Sequence, residues 1–303
     1  MAYDSGWAKR VVQVRKDSTL YLSVPFTWLV NEARSLAEAH RGPVVAGGPG
    51  LELLHPGGVD WAATPERPPF DVLRLHHPDA TFTTRGCPRR CAFCAVPRLE
   101  GEFRELNDWR PARLVCDSNF LAASREHIEC VIERLSGLRG VDFNQGLDAR
   151  LFKPWHARLL KKLRGVKVRF SCDRPADERA TRRAIDICRA SKLSIRGVYV
   201  LIGYKDTFKK ARKRLDTVRG WGVRPFPMRY QPLDATEKNA YLPKGWTGLQ
   251  MRLVLSYYMR LRYVEHIPFE DYARGNISAR QTELWGSSAS AQRNSEGQDS
   301  AKG

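Results

Sequence analysis

Cys87, Cys91 and Cys94 lie in the stretch RGCPRRCAFC, at C-x3-C-x2-C spacing. Thiolates are ligands for zinc and for iron–sulfur clusters. The other four cysteines, Cys116, Cys130, Cys172 and Cys188, are scattered in apolar contexts and read as small buried hydrophobes. A dense trio beside isolated cysteines points to metal or redox chemistry rather than to a disulfide framework. A closed structural zinc site takes four ligands, so His76, His77 or a distant residue would have to complete one here. Three ligands on a four-iron cluster instead leave one iron open to a substrate or cofactor.

Alternating elements must hold this loop. Strands are expected at Thr81–Thr84, Arg113–Cys116, Val141–Asn144, Val166–Ser171, Ile195–Leu201 and Arg224–Tyr230. Between them, amphipathic helices are expected over Ser124–Ser136, Pro154–Leu163, Ala176–Ser191 and Thr207–Trp221. Ser124 and Pro154 are helix-entry signals. Such alternation predicts α/β architecture with a parallel sheet and right-handed crossovers. Six strands fall short of an eight-stranded barrel, so an open, partial barrel or a doubly wound sheet is expected. The cysteine loop follows the first strand at its C-terminal end, where ligands sit in either architecture.

The cysteine spacing, with Phe93 just before the last cysteine, resembles the signature of the radical S-adenosylmethionine (SAM) enzymes. The resemblance covers roughly Phe82 to Leu233. It implies a partial (β/α)6 barrel and a [4Fe–4S] cluster held by Cys87, Cys91 and Cys94. It also implies S-adenosyl-L-methionine chelated at the fourth iron, reductive cleavage to a 5′-deoxyadenosyl radical, and a reductant such as flavodoxin or ferredoxin. The family commonly meets the SAM amino group with a Gly-Gly-Glu-like segment, which this sequence lacks. In its place VCDSNFL is similar to cobalamin-class members and makes Asp117 and Asn119 candidate SAM contacts, against a plain helix-cap or Asx-turn role. Ser171 and Asp173 are candidate contacts to ribose or carboxylate, with Arg174 a carboxylate partner. Ile202 and Gly203 resemble the segment that meets adenine, and Phe93 joins the cofactor set. Asn144, Gln145, Asp148 and Arg150 are expected to face the cavity, while Tyr230 or Gln231 would reach the substrate.

The remaining segments divide into a small α/β unit over residues 1–75, a core over 76–235, a helical extension over 236–285 that includes Leu249–Tyr263, and a disordered tail over 286–303. In the first unit, strands are expected at Val11–Val14, Leu20–Val24 and Pro43–Ala46, with a helix at Leu29–His40. Tyr21 to Leu53 is similar to the end of a cobalamin-binding domain, but no D-x-H-x-x-G segment is present. A degenerate remnant is therefore expected, with Gly47 and Gly48 a weak phosphate-cradle candidate.

The formal net charge of +18 favours an anionic partner such as RNA or DNA. Basic runs such as Lys209-Lys210 and Arg212-Lys213-Arg214, with Trp109, Trp155 and Trp221 near such charges, fit stacking on unpaired bases. Equally, they fit the solvated outer faces of α/β helices. No apolar run reaches the roughly 18 residues of a membrane span, and no secretory signal is evident, so a cytoplasmic location is expected. The competing function is a non-catalytic nucleic-acid-binding protein stabilised by zinc or an iron–sulfur cluster.

Overall fold

The computed structural model describes residues 7–64, 68–264 and 266–275. The expected tail over 286–303 lies outside the described residues, as do residues 276–285 of the helical extension. The chain divides into two compact units, Met1–Trp246 and Thr247–Gly303.

The first unit opens with a hairpin, β1 (Val12–Lys16) and β2 (Thr19–Ser23), turned by Asp17 and Ser18 at φ of 48° and 61°. Helix α1 (Val30–Glu38) then returns the chain to β3 (Val44–Gly47), parallel to β2. Leu20, Leu22, Val24, Ala33 and Ala46 are all buried here, as the alternation along the strands requires. Gly48 has φ +109°, and a Cβ on it would sit 2.8 Å from the Val24 carbonyl oxygen. A Cβ on Gly50 would lie 2.2 Å from the Phe26 carbonyl carbon. These glycines therefore let two backbones close on one another. The helix they lead into, α2 (Pro49–Leu54), is only 6 residues long.

Helix α3 (Val72–His76) leads to β4 (Ala80–Thr81). Next come β5 (Thr84–Arg85), α4 (Val96–Leu99), β6 (Arg104–Glu105) and β7 (Leu114–Val115). Beyond them the expected alternation holds: α5 (Arg125–Leu135), β8 (Asp142–Phe143), α6 (Pro154–Leu160), β9 (Val168–Ser171), α7 (Glu178–Ala190), β10 (Ile195–Ile202), α8 (Phe208–Gly220) and β11 (Pro225–Arg229). The helix-entry signals are used: the Ser124 hydroxyl accepts the His127 N–H at 3.2 Å, and Pro154 occupies the first turn of α6.

Strands β4, β7 and β8 form one parallel sheet in that order, and β9, β10 and β11 form another. Parallel bridges at Asp142–Lys167 and Leu147–Phe170 link β8 and the residues just after it to β9 and the residue before it. Six parallel strands thus follow one another in chain order. Pro225 and Pro227 lack N–H donors, and β11 lies at the sheet edge where that loss is tolerated. Gly197 admits the neighbouring strand, since a Cβ there would stand 2.3 Å from the Phe226 ring.

The first unit ends at Trp246. Residues 236–246 are tied to the sheet: Trp246 Nε1 donates to the Asp206 carbonyl at 3.0 Å, and Arg229 donates to the Tyr241 carbonyl at 2.6 Å. Residues 1–75 lie within the first unit. The second unit contains α9 (Gly248–Met259), α10 (Leu261–Val264) and α11 (Phe269–Ala273). Its core is aromatic, with the Tyr257 ring edge-on to Phe269 at 5.2 Å. Among the described residues, no helix is long and apolar enough to cross a membrane.

Candidate active site

The cysteine loop is strung between the arms of a hairpin. Thr84 and Arg85 pair antiparallel with Glu105 and Arg104, so the loop starts and ends at one place. Gly86 makes the first turn at φ +77°, where a Cβ would meet the Glu102 carbonyl oxygen at 2.3 Å. Glu100 closes the loop from within: its carboxylate accepts the Gly86 N–H at 2.6 Å and the Ser118 hydroxyl at 3.1 Å, and pairs with Arg85 at 3.5 Å. Nothing in the sequence singled out Glu100; its one signal is an acid six residues after the last cysteine.

Cys87, Cys91 and Cys94 are all half-buried and line one cavity of about 1130 Å³. The Cys94 N–H donates to the Cys91 carbonyl at 3.0 Å, turning the chain between those ligands. Burial pushes the Cys91 thiol up, while the nearby charges of Arg150 and Arg174 pull it down. Cys94 is likewise raised by burial, lowered by the Val96 backbone and raised again by Cys91 and Cys87. Both of these thiols thus feel neighbouring charge. Binding of a metal would remove the proton and offset that repulsion.

The cavity runs the length of the parallel strands, from the cysteines at the C-terminal ends to Asp79, Arg113 and Lys167 beside the N-terminal ends. Of the sequence-derived candidates, Phe93, Asn119, Asn144, Gln145, Asp148, Arg150, Ser171 and Asp173 line it together. Asp117, Ile202 and Gly203 do not appear on its wall.

Asp117 is 3% exposed, and its two carboxylate oxygens accept from the N–H and hydroxyl of Thr83. Burial raises its carboxyl above the usual carboxylate range, against the lowering by these bonds. It thereby anchors the segment leading into the cysteine loop. Ile202 is fully buried, and the Gly203 N–H donates to Asp206 at 2.9 Å. Leu201, one residue earlier, faces the cavity. Neither Tyr230 nor Gln231 lines it: Tyr230 packs edge-on to Tyr204 at 4.9 Å, and Tyr204 packs on Phe93 at 5.3 Å.

Asn119 is 3% exposed. Its Nδ2 donates to Cys87 Sγ at 3.3 Å and to Asp148 Oδ2 at 3.3 Å, while Oδ1 is buried without a hydrogen-bond partner. Asp148 also accepts from Arg89 at 3.2 Å and from Arg150 Nε at 2.7 Å. Burial alone would raise Asp148, but the Arg150 hydrogen bonds and the Arg150 and Arg89 charges outweigh it and hold the carboxyl below its ordinary value. Asp173 accepts the Leu201 N–H at 2.9 Å and is raised by burial. Arg174 is committed to Asp177 at 3.0 Å.

His76 and His77, the proposed completing ligands of a zinc site, are engaged elsewhere. His76 Nε2 lies 2.8 Å from the Ser23 hydroxyl, and His77 Nδ1 accepts the Asp79 N–H at 3.1 Å. Among the described residues, no three His, Cys, Asp or Glu side chains converge as ligands of one metal ion. Cys87, Cys91 and Cys94 are the residues of this wall that could hold a metal cluster. Of the other cysteines, Cys116, Cys172 and Cys188 are buried as expected, whereas Cys130 is exposed on the outer face of α5. Trp109 is buried under Arg134, whose guanidinium stands 3.9 Å from the ring centroid, so it offers no stacking surface.

No protein-family model matches the chain, and no curated protein matches its sequence.

Proposed function

We propose that this protein is a radical SAM enzyme. The observation that carries the reading is the placement of Cys87, Cys91 and Cys94 on the wall of one cavity, at the C-terminal ends of six parallel strands in chain order. That strand order supports a partial (β/α)6 barrel, open where β4 and β11 have no partner in common. When bound, a [4Fe–4S] cluster and SAM supply the chemistry: one electron cleaves the sulfonium and releases a 5′-deoxyadenosyl radical that abstracts hydrogen from the substrate.

The chain's own residues position and enclose. Cys87, Cys91 and Cys94 hold the cluster, and the Glu100 clamp with Gly86 fixes the loop that bears them. Asn119 Oδ1, buried without a partner, offers an acceptor for the SAM amino group. Ser171 and Asp173 offer polar groups to the ribose or carboxylate from the end of β9. Phe93 and Leu201 supply apolar wall, which keeps water from the reacting centre. The +18 charge supports an anionic substrate such as a nucleic acid, and reduction would come from a flavodoxin- or ferredoxin-like donor.

The test is anaerobic reconstitution of the full chain. The reading expects about four irons per chain and release of 5′-deoxyadenosine from SAM with a reductant, both lost in Cys91→Ala. A colourless protein holding one zinc and inert toward SAM overturns it in favour of a metal-stabilised binding protein.

A further inference from the structure

The amide of Asn119 cannot be turned round. Its Nδ2 reaches Cys87 Sγ at 3.3 Å and Asp148 Oδ2 at 3.3 Å, and the carboxylate can only accept. Rotating the amide would set its oxygen against the Asp148 carboxylate, which Arg89 and Arg150 hold in place, so Nδ2 is the end that faces it. Asp148 is itself held by Arg89 and Arg150, the latter through two nitrogens at 2.7 and 3.1 Å. The amide itself is 3% exposed, so it is held in place by these contacts rather than by water. Cys87 has one further donor, the Arg89 backbone N–H at 3.4 Å. Among the described residues, neither Cys91 nor Cys94 accepts from a side chain.

A hydrogen bond to a ligating sulfur draws charge from it and favours the reduced, more negative cluster. The three cysteines are therefore not equivalent. We infer that Asn119 is a positioning residue that sets the reduction potential of the proposed cluster, by donating one N–H to Cys87 Sγ while its second N–H is anchored on Asp148. This rests on the cluster reading above and adds to it a role for the nitrogen end of the amide. Asp148, oriented by Arg89 and Arg150, fixes the angle at which that N–H meets the sulfur.

The experiment compares the reconstituted full-length protein with Asn119→Leu and Asn119→Asp. Iron and sulfide are counted first, and then the midpoint potential is measured by EPR-monitored titration. Neither variant can donate from that position when the Asp is ionised, and Asp keeps the shape of Asn. Both are expected to retain about four irons yet resist reduction, with the reduction equilibrium lowered about tenfold, or ~59 mV for one electron. Asn119→Ser, a shorter donor, is expected to recover part of the shift. Wild-type protein carrying amide-15N asparagine is expected to show a weak nitrogen coupling to the reduced cluster in pulsed EPR, a readout that needs no variant. Equal potentials in cluster-loaded wild type and variants, or no 15N coupling, overturn the inference. Wild type that binds no four-iron cluster overturns the functional reading instead, so the two failures are distinct.

Discussion

Asp117 and Thr83 are joined through both of Thr83's donors, backbone N–H and hydroxyl, in a buried pair 34 residues apart in sequence. The pair fastens the end of β7 to the segment that enters the cysteine loop. A third contact, His127 Nε2 at 3.0 Å from the Thr83 carbonyl, ties the same residue to α5. Removing the carboxylate in Asp117→Ala leaves two buried donors unpaired, and unfolding in urea is expected to show a loss of about 2–3 kcal/mol. Asp117→Asn still accepts the Thr83 N–H and can donate to its hydroxyl, so its loss is expected to stay near 1 kcal/mol. Equal stability of wild type and Asp117→Ala would contradict an anchoring role.

The same carboxyl has a pH signature. Its folded-state value is raised by burial, so the protonated form is the one that folding favours. Its contribution is present below the unfolded value of about 3.9 and is lost as pH rises through the raised folded value. Asp148 has the opposite sign, being held low by Arg150 and Arg89 despite its burial. Its contribution is present above about pH 3.9 and is lost as pH falls through the depressed folded value. Against wild type, Asp148→Asn is therefore expected to flatten the acid limb of the stability profile, and Asp117→Asn to flatten the decline on raising pH. Denaturant midpoints measured from pH 3 to 8 decide this; parallel profiles for both variants would refute the assignment.

Much of this architecture was readable in the residues because the periodicities are long. Helices α5, α7 and α8, of 11, 13 and 13 residues, repeat apolar positions often enough to set their limits within two residues. The hairpin of β5 and β6 was not readable: each arm is 2 residues long, too short for alternation to show. Thr81–Thr84 reads as one strand, but Thr83 turns to Asp117 and divides it. Site residues divide the same way. The cysteines announce themselves by spacing, whereas Asp117 and Asn119, two short polar residues two positions apart, are aimed by the backbone at different partners. One carboxylate is consumed by Thr83 and the other side chain meets Cys87. Glu100 acts through a fold-back that no local pattern encodes.

Of the two left-handed glycines in the loop, Gly86 is hemmed in by neighbouring backbone and Gly101 is not. A left-handed conformation costs a non-glycine residue about 1–2 kcal/mol, and the added methyl would also press on Glu102 at 2.3 Å. Gly86→Ala is expected to cost more than about 2 kcal/mol locally and to lower iron binding while the circular-dichroism spectrum of the sheet and helices stays intact. Full iron loading in Gly86→Ala would show that the loop tolerates another path.

Thiol reactivity separates the two classes of cysteine without any cofactor. Burial pushes the Cys116, Cys172 and Cys188 thiols up to about 12, leaving on the order of one thiolate in 10,000 at pH 8. All three are also closed to reagent. Cys130 is exposed, and the loop thiols are half-exposed. Iodoacetamide applied to the folded apoprotein at pH 8 is expected to label Cys130, Cys87, Cys91 and Cys94, and to leave the buried three unmodified in peptide mass spectra. After anaerobic reconstitution the loop cysteines are expected to become protected while Cys130 remains reactive. Labelling of Cys172 as fast as Cys130 would contradict its place behind β9, and loop thiols as reactive in reconstituted protein as in apoprotein would show that they hold no cluster.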